Sequence, residues 1–217
     1  MSRRPLGRLR IIAGEWRSRL IDFDAADGVR PTPDRVRQTL FDWLAPDIAG
    51  ARCLDLFAGS GALGLEALSR GAAYVTFVES GTTQAAAIRV ALEKLGAAGR
   101  AEVLQQDALA AIAAMGRSHS SNSHSSNPHS SNSRSSNSHG PYDIAFVDPP
   151  FDSALLAPAL AALPRVLAPG ARVYAERHSA GAVAWPANYA VIRDKKTGQV
   201  SYVLATHRPE ARAGTDA

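Results

Sequence analysis

The chain has 217 residues, enough for one domain with a sizeable core and short for two. Apolar residues make up 46% but aromatics only 6%, so a core has to be built mainly from Ala, Val, Leu and Ile. A formal charge of +4 favours an anionic partner, the single Cys53 excludes an internal disulfide framework and fits a reducing cytoplasm, and no apolar run is long enough to span a membrane.

Residues 1–20 carry Arg3, Arg4, Arg8, Arg10, Arg17 and Arg19 against one acid, Glu15, and lack the apolar stretch of a signal peptide. Leu9–Ile12 and Trp16–Leu20 read as short strands joined through Ala13-Gly-Glu15, a basic hairpin. With Trp16 exposed, such a hairpin suits RNA: Arg10 and Arg17 would contact phosphates and the indole would stack on a base. The other reading is a solvated arginine tail with Trp16 packed on the domain. Next, Arg30–Arg37 opens a helix, with Thr32 as N-cap, Pro33 at the first helical position and Asp34 beside the positive helix end. Val36, Leu40, Phe41 and Leu44 share one face of it, and Pro46 stops it.

Arg52–Phe57 reads as a strand, Ala58–Gly61 as a tight loop and Ala62–Arg70 as a helix closed by Gly71. Gly59, Gly61 and Gly64 satisfy G-x-G-x-x-G, and Glu79 ends the next strand, Tyr74–Glu79. By glycines alone, a nicotinamide dehydrogenase fits nearly as well as a methyltransferase. Asp55 discriminates, because an acid there repels a pyrophosphate and attracts the ammonium of a methionine moiety. A helix over Thr82–Leu95 and a strand over Ala101–Gln105 follow, with Asp107 placed to cap a helix over Ala108–Met115.

Residues 118–139 repeat Ser-His-Ser-Ser-Asn with small variations and cannot bury enough apolar area to order themselves, so disorder is expected. Their histidines, His119, His124, His129 and His139, have no carboxylate or thiol partner, and no metal is expected. Tyr142–Val147 is then a buried strand. Asp148-Pro149-Pro150-Phe151 follows it, and the prolines stop the ladder because neither has an N–H. At the carboxyl end of a strand, where α/β sheets bind ligands, a planar amine could give its N–H bonds to the Asp148 carboxylate and the Pro149 carbonyl and stack on Phe151. A strand that merely ends in an Asp-Pro turn is the alternative. A helix over Ser153–Leu163 and a strand over Ala171–Glu176 come next. Strands over Trp185–Arg193 and Val200–Thr206, joined through Lys195–Gly198, complete a doubly wound, mostly parallel sheet whose final strand is antiparallel.

Several segments together resemble the RsmD-type family of bacterial guanine-N2 methyltransferases that act on 16S ribosomal RNA. They are Arg10–Arg17, Arg30–Arg37, Leu54–Ala67, Phe146–Phe151 and Lys196–Val200. The resemblance spans nearly the whole chain except residues 117–140 and the tail after Arg208. It implies a Rossmann-like class I methyltransferase fold of residues 31–208, interrupted by the repeat at 117–140 and preceded by the basic hairpin or arm at 1–30; the tail at 209–217 is polar, and flexibility is expected there. S-adenosylmethionine is the implied cofactor. Asp55, Phe57, Gly59 and Gly61 would line its methionine part, Glu79 its ribose hydroxyls and Asp107 its adenine amine, with Thr32 approaching it from the preceding helix. Asp148, Pro149, Pro150 and Phe151 would hold the acceptor amine. The implied partner is 16S rRNA, free or within a small ribosomal subunit, met by a monomer in the cytoplasm. The rivals are a DNA adenine or cytosine amino-methyltransferase and a non-catalytic RNA-binding assembly factor.

Overall fold

Short apolar runs alternating with amphipathic stretches call for strands joined by helical crossovers, and the computed structural model is built that way. It describes residues 6–24, 31–122, 141–150, 153–179 and 184–209. Strands β1 (Leu6–Arg10) and β2 (Leu20–Asp24) form an antiparallel hairpin, followed by helix α1 (Asp34–Trp43). Then β3 (Arg52–Asp55), α2 (Ala62–Ser69), β4 (Tyr74–Glu79), α3 (Thr82–Lys94), β5 (Ala101–Gln105) and α4 (Ala108–Asn122) alternate. The chain closes with β6 (Tyr142–Val147), α5 (Leu156–Ala162), β7 (Leu167–His178), β8 (Tyr189–Thr197) and β9 (Val200–His207). The main sheet runs β5-β4-β3-β6-β7-β9-β8, with β9 antiparallel to both its neighbours and every other pairing parallel. The expected doubly wound sheet with an antiparallel last strand is therefore what forms.

Alternation along the strands sends side chains into two cores. Cys53, Phe77, Ile144, Phe146 and Tyr174 pack toward α1, α2 and α3, while Leu54, Val78, Ala145, Val147 and Val173 pack toward α4 and α5. The amino-terminal hairpin belongs to the first core. Leu9, Ile11, Trp16, Ile21 and Phe23 are buried in it, so the segment is a built-in layer and not a detached arm.

Several expected boundaries move for local reasons. The hairpin strands lie outside Ile11–Arg19, because that loop is drawn onto α2: Ser69 Oγ donates to the Ala13 carbonyl at 2.6 Å and accepts the Trp16 N–H at 3.0 Å. Thr32 makes no cap; Pro33 occupies that position, and α1 ends at Trp43 before Pro46 is reached. Helix α4 runs past Met115 to Asn122, which corrects the expected break at the start of the repeat, since nothing there lacks an N–H for the helical ladder. The rest of the repeat, 123–140, lies outside the described residues. Helix α5 starts at Leu156, three residues later than expected, because Ser153 is engaged in the preceding turn. Strand β7 starts at Leu167, ahead of the expected Ala171, with a bulge between the Tyr142–Leu167 and Ile144–Arg172 pairings. Pro186 delays β8 to Tyr189, and its hairpin turns at Gly198-Gln199, leaving Lys195 and Lys196 inside the strand.

Candidate active site

The glycine loop is shaped by two contacts. Gly61, at φ 76° and directly before α2, holds a left-handed turn that a side chain would strain. At Gly64 a Cβ would fall 2.2 Å from the Phe77 ring, so only glycine lets α2 lie this close to β4. The loop brings the Gly64 N–H, in the first turn of α2, to 2.9 Å from Asp55 Oδ2. Asp55 is 2% exposed, and burial pushes its pKa up to about 7, opposed by the Gly64 hydrogen bond and reinforced by the nearby Glu79 charge. Phe57 is half-buried against the second core, between Asp55 and the glycines.

Glu79 closes β4 and orders the loops around it. Its Oε2 accepts the Gly59 N–H at 2.7 Å and its Oε1 the Gly81 N–H at 2.6 Å. Two strands away from β3 in the same direction, Asp107 lies exposed just past β5, where its Oδ1 accepts the Ala110 N–H at 2.9 Å, as expected of a helix cap.

On the other side of Asp55 stand the acceptor residues. Asp55 pairs with Phe146 and Val147 with Ala175, so Asp148 and Glu176 come level on neighbouring parallel strands and share the face that carries Phe146 and Tyr174. Thr32, just ahead of α1, covers them: its hydroxyl donates to Asp148 Oδ2 at 3.3 Å and also reaches Glu176. Thr32 therefore sits against the acceptor side of the row rather than at the glycine loop. Burial holds the Asp148 carboxyl well above the usual carboxylate range, and the Glu176 and Asp55 charges add to this. Glu176 is 4% exposed, its Oε1 accepts the Tyr174 hydroxyl at 2.7 Å, and burial raises its pKa against those two hydroxyls. Pro149 is buried and Pro150 exposed, with the Pro150 carbonyl tied by the Ser153 N–H at 2.9 Å and hydroxyl at 2.7 Å. Phe151 lies outside the described residues.

Glu79 and Asp55, the last residues of β4 and β3, Asp148, just past β6, and Glu176, near the end of β7, thus line four adjacent strands along one face at the carboxyl edge. Glu176 is the residue that motif reading missed. Only the register of β7 on β6 brings it level with Asp148, two residues before β7 ends at His178. No group of His, Cys, Asp and Glu side chains among the described residues is disposed to hold a metal ion. No helix among them is long and apolar enough to cross a membrane.

Trp16, expected to meet RNA, is not at this edge. Trp16 is 2% exposed, with the Arg100 guanidinium 5.1 Å from its ring centroid, so the indole offers no face to a base. It is fixed to Ser69 at the carboxyl-terminal end of α2, which points toward the amino edge of the sheet. This corrects the expectation of an exposed stacking platform. Arg10 and Arg17 do keep exposed side chains, and the Arg10 carbonyl accepts from Arg37 at 2.7 Å.

An acid-lined carboxyl edge beside a glycine turn, on a parallel sheet with one reversed strand, defines a class I S-adenosylmethionine-dependent methyltransferase. Residues 9–206 match the family described as "Conserved hypothetical protein 95". The chain is 40% identical to the ribosomal RNA small subunit methyltransferase D of Escherichia coli (strain K12), over 97% of this chain and 95% of that one. Identity to the protein of the same name from Haemophilus influenzae is 38%, over 91% of this chain and 93% of that one. The solved structure of yhhF from Escherichia coli superposes with a TM-score of 0.74 at 39% identity, covering 93% of this chain and 99% of that one. An RNA methyltransferase from Salinibacter ruber, solved with S-adenosyl-L-homocysteine, shares the fold at a TM-score of 0.57 and 15% identity, over 87% of this chain and 100% of that one. The chain belongs to the RsmD-type methyltransferase family.

Proposed function

We propose that the protein transfers a methyl group from S-adenosylmethionine to the exocyclic N2 of a guanine in 16S ribosomal RNA, met within a small subunit or one of its assembly intermediates. The observation that carries this reading is the position of Asp148: a half-buried carboxylate just past β6, level with Glu176 and followed by Pro149, in a chain whose full-length relatives are small-subunit rRNA methyltransferases.

The residues fit the cofactor. Asp55 is buried with a backbone N–H as its hydrogen-bond partner, so the ammonium of a methionine moiety supplies the counter-charge its burial calls for. Glu79 is oriented through Gly59 and Gly81, and its remaining lone pairs suit a pair of ribose hydroxyls. Asp107, spending one oxygen on Ala110, keeps the other for the adenine amine. Bound there, the cofactor supplies an electrophilic methyl on a sulfonium.

Guanine N2 is a weak nucleophile because its lone pair is delocalised into the ring. The Asp148 carboxylate and the Pro149 carbonyl accept its protons, localise the lone pair and draw off the positive charge that develops as the methyl arrives. Thr32 keeps the Asp148 carboxylate in place, and the tie between Pro150 and Ser153 fixes the turn that aims the Pro149 carbonyl. Phe151 is assigned the stacking of an extruded base. Holding amine and methyl in line contributes much of the rate. Arg10 and Arg17 are assigned phosphate contacts without base reading. The test is incubation of the purified protein with labelled S-adenosylmethionine and unmodified small subunits, then nucleoside analysis. N2-methylguanosine is expected; N6-methyladenosine or N4-methylcytosine would show a different acceptor.

A further inference from the structure

We infer that Glu176 is the residue that specifies guanine, its carboxylate accepting the N1–H of the acceptor base beside the N2 amine held by Asp148. The inference rests on the N2-methylguanine reading and adds to it the means of choosing the base.

The register fixes the placement. Val147 pairs with Ala175, so Asp148, the residue after β6, comes level with Glu176 on the adjacent parallel strand β7, on the side of the sheet that carries Phe146 and Tyr174. Glu176 is 4% exposed and held by the Tyr174 hydroxyl, which donates to Oε1 at 2.7 Å, with the Thr32 hydroxyl, the donor to Asp148, beside it. A carboxylate held this way spends one oxygen on tyrosine and keeps lone pairs on the other. Nothing in the methyl transfer itself requires a second acid here, because Asp148 and the Pro149 carbonyl already take the two N2 protons. A second acceptor next to the first needs a second donor next to the amine.

Among the bases with an exocyclic amine, only guanine offers that pattern. Its N1–H lies next to N2, whereas the ring nitrogen beside the amine of adenine or cytosine is a bare acceptor. Against Glu176 that lone pair would meet a negative oxygen and leave the carboxylate unpaired in a buried site. Sites built to hydrogen-bond a donor reject the analogue lacking it far more strongly than apolar pockets reject a missing methylene. Asp148-Pro149-Pro150-Phe151 is a motif for amines in general, and Glu176 narrows it to one.

The experiment uses small-subunit RNA with the target guanine replaced by 2-aminopurine, which keeps the N2 amine but has no N1–H. Wild-type protein should methylate guanine in preference to 2-aminopurine by at least about a hundredfold in kcat/KM. In Glu176→Gln the amide can donate to the bare N1, so guanine turnover should fall and 2-aminopurine turnover hold or rise, bringing the two within about tenfold. Tyr174→Phe, which frees the Glu176 carboxylate to turn, should lower discrimination partway while leaving S-adenosylmethionine binding and the melting temperature close to wild type. Equal use of both bases by wild type, or an equal drop for both in Glu176→Gln, would overturn the inference and return Glu176 to a purely structural acid. A wild type that forms no N2-methylguanosine at all would instead bring down the proposed function, and the inference with it.

Discussion

Arg37 and Glu66 face each other at 3.5 Å with both side chains fully buried, and through them the amino-terminal hairpin is locked to the methyltransferase sheet. Glu66, on α2, also accepts the Ile12 and Ala13 N–H groups at 2.8 and 3.0 Å and pairs with Arg70 at 2.7 Å. Arg37, on α1, donates to the Arg10 carbonyl and to Asp34 as well. One buried carboxylate therefore sets the hairpin on α2 and, through α1, the position of Thr32 above Asp148.

Glu66→Ala should cost about 3–5 kcal/mol, because it removes the carboxylate facing a buried guanidinium and leaves two backbone N–H groups without their acceptor. The check is urea unfolding of the variant against wild type. A loss below about 1 kcal/mol would show that water takes over these bonds and that the hairpin is held by its apolar side chains alone.

Asp55→Asn should weaken S-adenosylmethionine binding severely while raising the stability of the free protein at neutral pH. The sign follows from the raised pKa. A carboxyl lifted from 3.8 to about 7 contributes stability that is complete below pH 3.8 and lost as pH rises through about 7, where its charge must be buried. Binding of the cationic cofactor favours the charged form, so it should release a proton near pH 7. Calorimetry in buffers of different ionisation enthalpy measures that release, and its absence would separate Asp55 from the ammonium.

Much of this site was legible in the sequence and some was not. Asp55, Glu79, Asp107 and Asp148 could be read because each ends an apolar strand at a turn signal, and strand ends are where an α/β sheet presents its ligands. The long crossovers and the reversed last strand followed from the same alternation. Trp16 was misplaced because a tryptophan between arginines looks solvated, and only the fold shows Ser69 and Arg100 enclosing it. Thr32 obeyed the rule for a helix cap in sequence yet turns away to Asp148, since a tertiary acceptor replaced the local one. Glu176 needed the register between β6 and β7, which a single strand pattern does not contain.

Asp148→Ala should lower kcat by about ten- to a hundredfold or more while leaving cofactor affinity nearly unchanged, since one charge-assisted hydrogen bond and its orientation are lost. In wild type, burial and the neighbouring Glu176 raise the Asp148 pKa, so the proton-accepting form builds up only as pH rises. The kcat profile should rise with pH on its acid side, and that limb should shift to lower pH in Glu176→Gln, where the neighbouring charge is gone. Near-normal turnover by Asp148→Ala would remove it from the chemistry.

Replacing residues 123–140 with a short Gly-Ser linker should leave fold and turnover intact, whereas cutting back to Met115 would remove the last turns of α4. The end of α4 and the start of β6 both lie at the amino edge, opposite Asp148, and shortening the connection changes closure entropy by only about 1 kcal/mol. A large fall in melting temperature would show that the repeat packs on the domain.

The most direct measurement is mass spectrometry of nucleosides from unmodified small subunits treated with the protein and isotopically labelled S-adenosylmethionine. One labelled product is expected, N2-methylguanosine in 16S RNA, lost in Asp148→Ala. Label on an adenine or cytosine amine, or on RNA treated with Asp148→Ala as much as with wild type, would contradict it.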